Sequence, residues 1–223
     1  ISQATNYHRW IMSRFYGHIG HKIIEIGIGH GEYRRLLPDH CEYTGVDIDP
    51  KLVKQARKKY QNANFVVGDI SSPEILHVIG EGQVDTVLCL NVLEHIADDH
   101  TAISNMLKLL VTDGHLLLFV PAVPGLYGDL DRLAGHHRRY TLKSLEEVLS
   151  AGYVDIIRLE YFNSLGGIGW FLNRFLRHGS LGGSLVEGQI KLFDKLVLPI
   201  ARTTDLVTRR IFGQSIVAVV RRR

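Results

Sequence analysis

Short apolar runs alternate with amphipathic segments along the first 120 residues. The apolar runs predict strands at 22–26, 43–47, 64–67, 84–90 and 115–120. The segments around them predict helices at 5–17, 32–37, 51–60, 73–79 and 98–111. Strands that are apolar on both faces are typical of a parallel sheet covered by helices on both sides. We therefore predict an α/β fold with a doubly wound, mostly parallel sheet.

The second half of the chain continues this pattern and then changes. A helix is predicted at 141–151, a sixth strand at 154–161 and a last strand at 215–220. Between the last two strands, residues 163–212 combine glycine-rich pieces with amphipathic runs. Because no linker rich in Pro, Gly or Ser divides the chain, we expect residues 1–223 to form a single domain. Residues 163–212 are then an insertion or lid.

Composition narrows the class of protein. Of the 223 residues, 45% are hydrophobic and the net charge is +3, which suits a globular domain. No apolar run reaches the roughly 18 residues that a membrane span requires. Two cysteines exclude a disulfide framework. The polar start shows no signal-peptide pattern, so we expect a cytoplasmic protein.

The first strand runs directly into a glycine-rich turn. In open α/β sheets, ligands bind at the carboxyl ends of the strands, and such a turn lets a ligand approach the backbone closely. Asp47 ends the second strand, where an acid typically accepts hydrogen bonds from ribose hydroxyls. This layout predicts a ligand that contains adenosine.

The spacing of the glycines distinguishes between such ligands. The dinucleotide fingerprint G-x-G-x-x-G would place a third glycine at position 32, where this chain has Glu32. A carboxylate there would repel a pyrophosphate. S-adenosylmethionine carries no phosphate, so the conflict does not arise with that ligand.

Five motifs in order resemble the class I S-adenosylmethionine-dependent methyltransferases, in a bacterial branch that acts on small molecules or glycans. They are EIGIGHG at 25–31, VDID at 46–49, VGDI at 67–70, VDTVLCLNVLEHI at 84–96 and GHHRRYT at 135–141. The resemblance implies a Rossmann-like sheet of seven strands whose last strand is antiparallel. It also implies the cofactor S-adenosylmethionine and the product S-adenosylhomocysteine.

The resemblance also assigns cofactor contacts. It implies that the three glycines lie against the methionine part and that Asp47 binds the ribose. Ile48 and the turn at Asp69 would border the adenine. The expected cofactor-binding residues are Glu25, Gly27, Gly29, Gly31, Asp47, Ile48, Asp69, Ile70, Asn91 and Val92.

Catalytic candidates follow the fifth strand. A hydroxyl or amine acceptor must lose a proton during methyl transfer, and histidine titrates nearest neutral pH. We expect His136 to be the base, with His137 second and Tyr140 third. The alternative is that this loop, with its acid and its arginines, only builds the pocket wall.

Two further ligand classes are disfavoured. Glu94 and His95 resemble part of a metal motif, but Asn91 stands where that motif has its first acid, so we expect no metal. The chain lacks the Pro-Pro-aromatic motif of DNA amino-methyltransferases, so we expect no nucleic acid.

The insertion leaves the partner question open. Residues 163–223 hold 10 Lys or Arg against 3 Asp or Glu. Amphipathic helices of this kind lie on anionic membranes, or pack as lid or dimer helices. The main hypothesis is a methyltransferase that acts on a small molecule. If residues 163–212 contact a membrane, we expect that acceptor to be lipid-linked or saccharide-like. The alternatives are a nucleotide-dependent oxidoreductase and a non-catalytic subunit that docks on a membrane or partner.

Overall fold

The computed structural model describes residues 5–150, 152–173 and 197–223, which contain a seven-stranded sheet. The strands are β1 (Lys22–Ile26), β2 (Glu42–Asp47), β3 (Asn64–Val67), β4 (Val84–Leu90), β5 (Leu110–Pro121), β6 (Val154–Phe162) and β7 (Ser215–Arg222). Their order across the sheet is β3-β2-β1-β4-β5-β7-β6. Strands β1 to β5 pair in parallel, and β7 is antiparallel to both β5 and β6. This confirms the predicted sheet and its antiparallel last strand.

Helices connect most of the strands. They are α1 (Thr5–Ser13), α2 (Pro50–Lys59), α3 (Glu74–Ile79), α4 (Asp99–Leu109), α5 (Asp129–Ala134), α6 (Leu142–Leu149), α7 (Ser164–Asn173) and α8 (Leu198–Thr208). Several of these helices begin at a residue whose side chain caps the helix N-terminus. The Asp49 carboxylate accepts a hydrogen bond from the Lys51 main chain, and Pro50 occupies the first turn of α2. Asp98 and Thr141 cap α4 and α6 in the same way.

The core lies on both faces of the sheet. Along β5, Leu116 and Leu118 belong to one buried cluster, whereas Leu117 and Phe119 belong to the other. This division follows from the alternation of side chains along a strand. It explains why the central strands are apolar at nearly every position.

One predicted helix and two predicted boundaries are wrong. Residues 32–37 form no α-helix, and only a 3₁₀ turn covers Arg34–Leu36. Gly31 just before it has a φ of 72°, outside the helical range, and Leu37 is extended because it precedes Pro38. Helix α1 ends at Ser13 instead of 17 and is followed by a 3₁₀ turn. Strand β5 starts at Leu110, which pairs with Val84; the register then shifts at the expected turn, and His115 pairs with Thr86.

Two helices of the predicted insertion lie between β6 and β7 in the chain. They are joined to the sheet by Asn163, whose main-chain N–H donates to Asp205 Oδ1 at 2.8 Å. The predicted amphipathic runs around Phe175, Ile190 and Phe193 lie outside the described residues. The single domain and its insertion therefore stay a prediction. Within the described ranges, the helices include none of the length and apolarity needed to cross a membrane.

The topology places the site. The strand order reverses between β1 and β4, because the chain moves outward from β1 to β3 and returns to β4 on the other side of β1. Such a switch point leaves a crevice at the carboxyl ends of the strands. Glu25 lies within β1. The other expected cofactor-binding residues lie at strand ends or in the loops that follow them at this edge, and Val92 comes directly after Asn91.

Candidate functional site

The loop after β1 requires glycine for its backbone. Gly27, Gly29 and Gly31 have φ angles of 72°, 51° and 72°, which side-chain-bearing residues rarely adopt. A Cβ on Gly27 would lie 2.2 Å from Cγ2 of Val92, whereas a Cβ on Gly29 would meet no atom within 4 Å. Gly29 therefore presents bare backbone to open space beside the switch point.

The acid at the end of β2 connects two loops. Asp47 Oδ2 accepts a hydrogen bond from the Gly29 main chain at 3.2 Å, and Oδ1 accepts one from the Asp49 main chain at 2.9 Å. Each carboxylate oxygen has two lone pairs, so each can accept a further donor. The next side chain, Ile48, is 68% exposed. A polar acceptor and an uncovered apolar surface thus lie side by side.

Asp69 and Ile70, the two expected cofactor contacts after β3, lie in different environments. Asp69 is half-buried, and its Oδ1 accepts hydrogen bonds from the main chain and the hydroxyl of Ser71 at 2.8 and 2.6 Å. The Ile70 side chain is buried in the core, and its carbonyl accepts from Asn105 at 2.9 Å. Asp69 therefore lies in the loop, and Ile70 supports that loop from the core.

The end of β4 brings Asn91 and Val92 to the first loop. Asn91 is exposed with a φ of 55°, a left-handed conformation that asparagine tolerates better than most residues. Its main-chain N–H donates to the carbonyl of Phe119 in β5 at 2.7 Å, which fixes the residue that follows β4. Val92 packs over Gly27.

Glu25 lies inside the protein. Its carboxylate accepts a hydrogen bond from the Tyr43 hydroxyl at 2.6 Å, and the residue is 2% exposed. Burial raises the pKa of Glu25 to about 8. Glu25, expected to contact the cofactor, is thus buried and connects β1 to Tyr43 of β2.

Sequence reasoning missed Tyr60. Its hydroxyl donates to the Gly31 carbonyl at 2.8 Å, and a Cβ on Gly31 would lie 2.8 Å from its ring. Tyr60 therefore fixes the end of the glycine loop. No local signal could have shown this, because Tyr60 lies 29 residues further along the chain at the end of α2.

The catalytic candidates occupy different environments. His136 Nδ1 lies 2.9 Å from Asp131 Oδ1, and its side chain is 15% exposed. His137 is exposed, and its main-chain N–H donates to the Glu94 carbonyl at 2.8 Å. This bond attaches the 135–141 loop to the segment after β4.

Tyr140, the third candidate, lies in the core. It is 2% exposed, and its hydroxyl donates to Asp99 Oδ2 at 2.8 Å. Burial, reinforced by the neighbouring Asp99, raises the pKa of Tyr140 far above its ordinary value. These contacts give Tyr140 a packing role that anchors the start of α4.

Glu94 is a buried acid without a hydrogen-bond partner for either carboxylate oxygen within the described part of the chain. Burial raises the pKa of Glu94 to about 8 and so favours its protonated form. Its oxygen and ring nitrogens of His95 and His136 lie within 4.8 Å of one another. The expectation that no metal binds here stays a prediction.

Part of the chain is similar in sequence to known methyltransferases. Residues 24–118 match the model of the family described as "Methyltransferase domain". The ubiquinone biosynthesis O-methyltransferase of Xanthomonas euvesicatoria is 31% identical over 101 residues, which cover 44% of this chain and 42% of that protein. A SAM-dependent methyltransferase from Archaeoglobus fulgidus has the same fold, with a TM-score of 0.66 at 20% identity over 98% of this chain and 94% of that one.

The match to longer proteins is partial. The non-reducing polyketide synthase mapC of Penicillium roqueforti is 38% identical over 112 residues, which cover 44% of this chain but 4% of the synthase. The chain thus spans less than half the length of the first curated relatives that it matches. The family match over 24–118 includes the glycine loop, Asp47, Asp69 and Asn91.

Proposed function

We propose that this chain, whose residues 24–118 match the methyltransferase-domain family, is a class I S-adenosylmethionine-dependent methyltransferase that methylates an oxygen or nitrogen of a small molecule. The observation that carries this proposal is the carboxyl edge of β1 and β2. There, bare backbone at Gly29 lies beside the Asp47 carboxylate, and the exposed Ile48 follows it.

The residues at this edge fit the cofactor. The open space at Gly29 suits the methionine part, since the backbone there carries no side chain. The remaining lone pairs of Asp47 accept the two ribose hydroxyls. Ile48 covers one adenine face, Asp69 accepts the adenine amino group, and the Asn91 main chain faces the amino group of the methionine part.

The acceptor lies on the side of the 135–141 loop. Bound S-adenosylmethionine supplies a methyl group already activated on a sulfonium, so the chain has to align the acceptor and remove its proton. His136 accepts that proton, with His137 as the second candidate. Tyr140 is left out of this proposal because its hydroxyl donates to Asp99 in the core.

Calorimetry tests the cofactor assignment. The protein is titrated in parallel with S-adenosylmethionine, S-adenosylhomocysteine and NAD. Binding of the first two without NAD supports the proposal, whereas binding of NAD alone favours an oxidoreductase. Binding of none favours the docking subunit. A screen with methyl-labelled S-adenosylmethionine and pools of hydroxyl and amine compounds then identifies the acceptor.

We further propose that residues 163–212 contact an anionic membrane from its cytoplasmic face, which would favour a lipid-linked or saccharide acceptor. Apolar side chains on α7 and α8 are exposed, namely Ile168, Phe171, Ile200, Leu206 and Val207. Exposed apolar residues in a segment with an excess of positive charge, 10 Lys or Arg against 3 Asp or Glu over 163–223, suit an anionic lipid surface. The test is sedimentation with anionic and with zwitterionic vesicles. Leu206→Ser should weaken anionic binding, and Val78→Ser, an exposed valine on α3, should not. Equal sedimentation of both variants would contradict the contact.

A further inference from the structure

Three side chains form a buried polar chain behind the acceptor side. The Asp131 carboxylate is fully buried, and its Oδ1 accepts a hydrogen bond from Arg139 Nε at 2.9 Å. Its Oδ2 accepts one from the Gly128 main chain at 2.9 Å. His136 Nδ1 lies 2.9 Å from Oδ1. The Asp131 carboxylate therefore contacts two side chains that carry N–H groups and one main-chain N–H.

This environment keeps Asp131 ionised. Burial acts to raise its pKa, but hydrogen bonds from His136 and Arg139 and the charge of Arg139 outweigh burial and hold the pKa of Asp131 below its ordinary value. An ionised carboxylate can only accept hydrogen bonds, so His136 Nδ1 must carry the proton. In the neutral ring, Nε2 is then the basic nitrogen.

The surroundings of Nε2 leave it available. The neighbouring carboxyl oxygen, Glu94 Oε1, lies 4.0 Å away, beyond hydrogen-bond distance. The His95 ring stands edge-on to the His136 ring, with centroids 4.6 Å apart. The His136 side chain keeps 15% of its surface exposed, whereas Asp131 and Glu94 have none. Among Asp131, Glu94 and His136, only the His136 imidazole reaches the surface, where the exposed His95 lies beside it.

We propose that Asp131, fixed by Arg139, is the positioning residue that holds His136 in the tautomer with a basic Nε2. This inference rests on the proposed function. In the reaction, the acceptor heteroatom forms a bond to the methyl carbon while the carbon–sulfur bond breaks and its electron pair stays on sulfur. The acceptor proton moves to Nε2, and ionised Asp131 stabilises the imidazolium that results.

The tautomer is measurable without knowing the acceptor. Long-range ¹H–¹⁵N NMR of the uniformly labelled protein distinguishes protonated from unprotonated ring nitrogens, and His136→Gln assigns the signals. We expect a protonated Nδ1 and an unprotonated Nε2 in the wild type. In Asp131→Asn the amide can donate to Nδ1, so the proton should move to Nε2. Asp129→Asn is the matched control, because this exposed aspartate lies two residues earlier on α5.

Activity then shows whether Asp131 acts through His136. With the acceptor from the labelled screen, Asp131→Asn should lower kcat about 100-fold or more, without changing S-adenosylhomocysteine binding. In a His136→Ala background the same substitution should cost less than twofold, whereas a structural role would lower activity in both backgrounds.

Several results would overturn the inference. They are a protonated Nε2 in the wild type, a tautomer unchanged in Asp131→Asn, or broadening of the Nε2 signal by stoichiometric Mn²⁺, which would make this nitrogen a metal ligand.

If Asp131→Asn does not fold, Arg139→Lys tests the same contact, because lysine keeps the charge but lacks the fixed fork of donors. We expect an unchanged tautomer and a lower kcat in that variant, and an unchanged kcat would count against the role of Arg139. Failure of S-adenosylhomocysteine to bind would instead reject the proposed function.

Discussion

Replacement of Asp47 by asparagine tests the cofactor site most directly. In the structure, both carboxylate oxygens already accept main-chain hydrogen bonds, from Gly29 at 3.2 Å and from Asp49 at 2.9 Å. Asparagine replaces one of these oxygens with an amide that donates. That amide faces a main-chain N–H, and the site loses both the negative charge and one acceptor for the ribose.

The expected loss of binding follows from the two hydrogen bonds that Asp47 is proposed to accept from the ribose hydroxyls. A hydrogen bond to a charged group contributes about 1.5–3 kcal/mol, so losing one and weakening the other costs roughly 2–4 kcal/mol. This corresponds to binding of S-adenosylhomocysteine that is about 30- to 700-fold weaker. Calorimetric titration measures the change, and thermal unfolding shows whether the variant still folds.

Asp49→Asn is the matched control. Asp49 caps α2 by accepting from the Lys51 main chain at 2.8 Å, and asparagine is an equally good N-cap. We expect this variant to bind within about twofold of the wild type. If folded Asp47→Asn binds S-adenosylhomocysteine within about threefold of the wild type, the assignment of Asp47 to the ribose is wrong.

Three further predictions concern the loops and the core. Gly29→Ala should destabilise the fold by only about 1–2 kcal/mol, the cost of a left-handed alanine, yet weaken cofactor binding at least about tenfold. Gly27→Ala should destabilise more, because its Cβ would also clash; equal unfolding midpoints would refute this difference. Tyr140→Phe should lower the free energy of unfolding by about 1–3 kcal/mol with kcat little changed, and a large loss of kcat in a stable variant would restore its catalytic role. Because burial raises the pKa of Glu94 to about 8 from 4.5, the stability it contributes is present below about pH 4.5 and is lost as the pH rises through about 8. Glu94→Gln should flatten the fall in unfolding free energy over this range relative to the exposed control Glu81→Gln, and parallel curves would contradict it.

The chain itself encodes the fold and the cofactor edge in local patterns. Apolar runs predicted all seven strands, since a buried parallel strand is apolar on both faces. Asp47 could be predicted because it ends a strand, and in a parallel sheet every strand ends at the same edge. The antiparallel direction of the last strand came from the family resemblance, because periodicity does not show strand direction, and its place between β5 and β6 came only from the structure.

Tertiary structure alone decided which of the polar residues face the site. Tyr140 and His136 lie four residues apart in one motif, yet one is in the core and the other is partly open. Tyr60 holds Gly31, and Glu94 lies beside His136, across 29 and 42 positions of the chain. Hydrophobic period and turn chemistry act between near neighbours. Burial, protonation and hydrogen-bond partners depend on segments brought together only when the sheet and its helices pack.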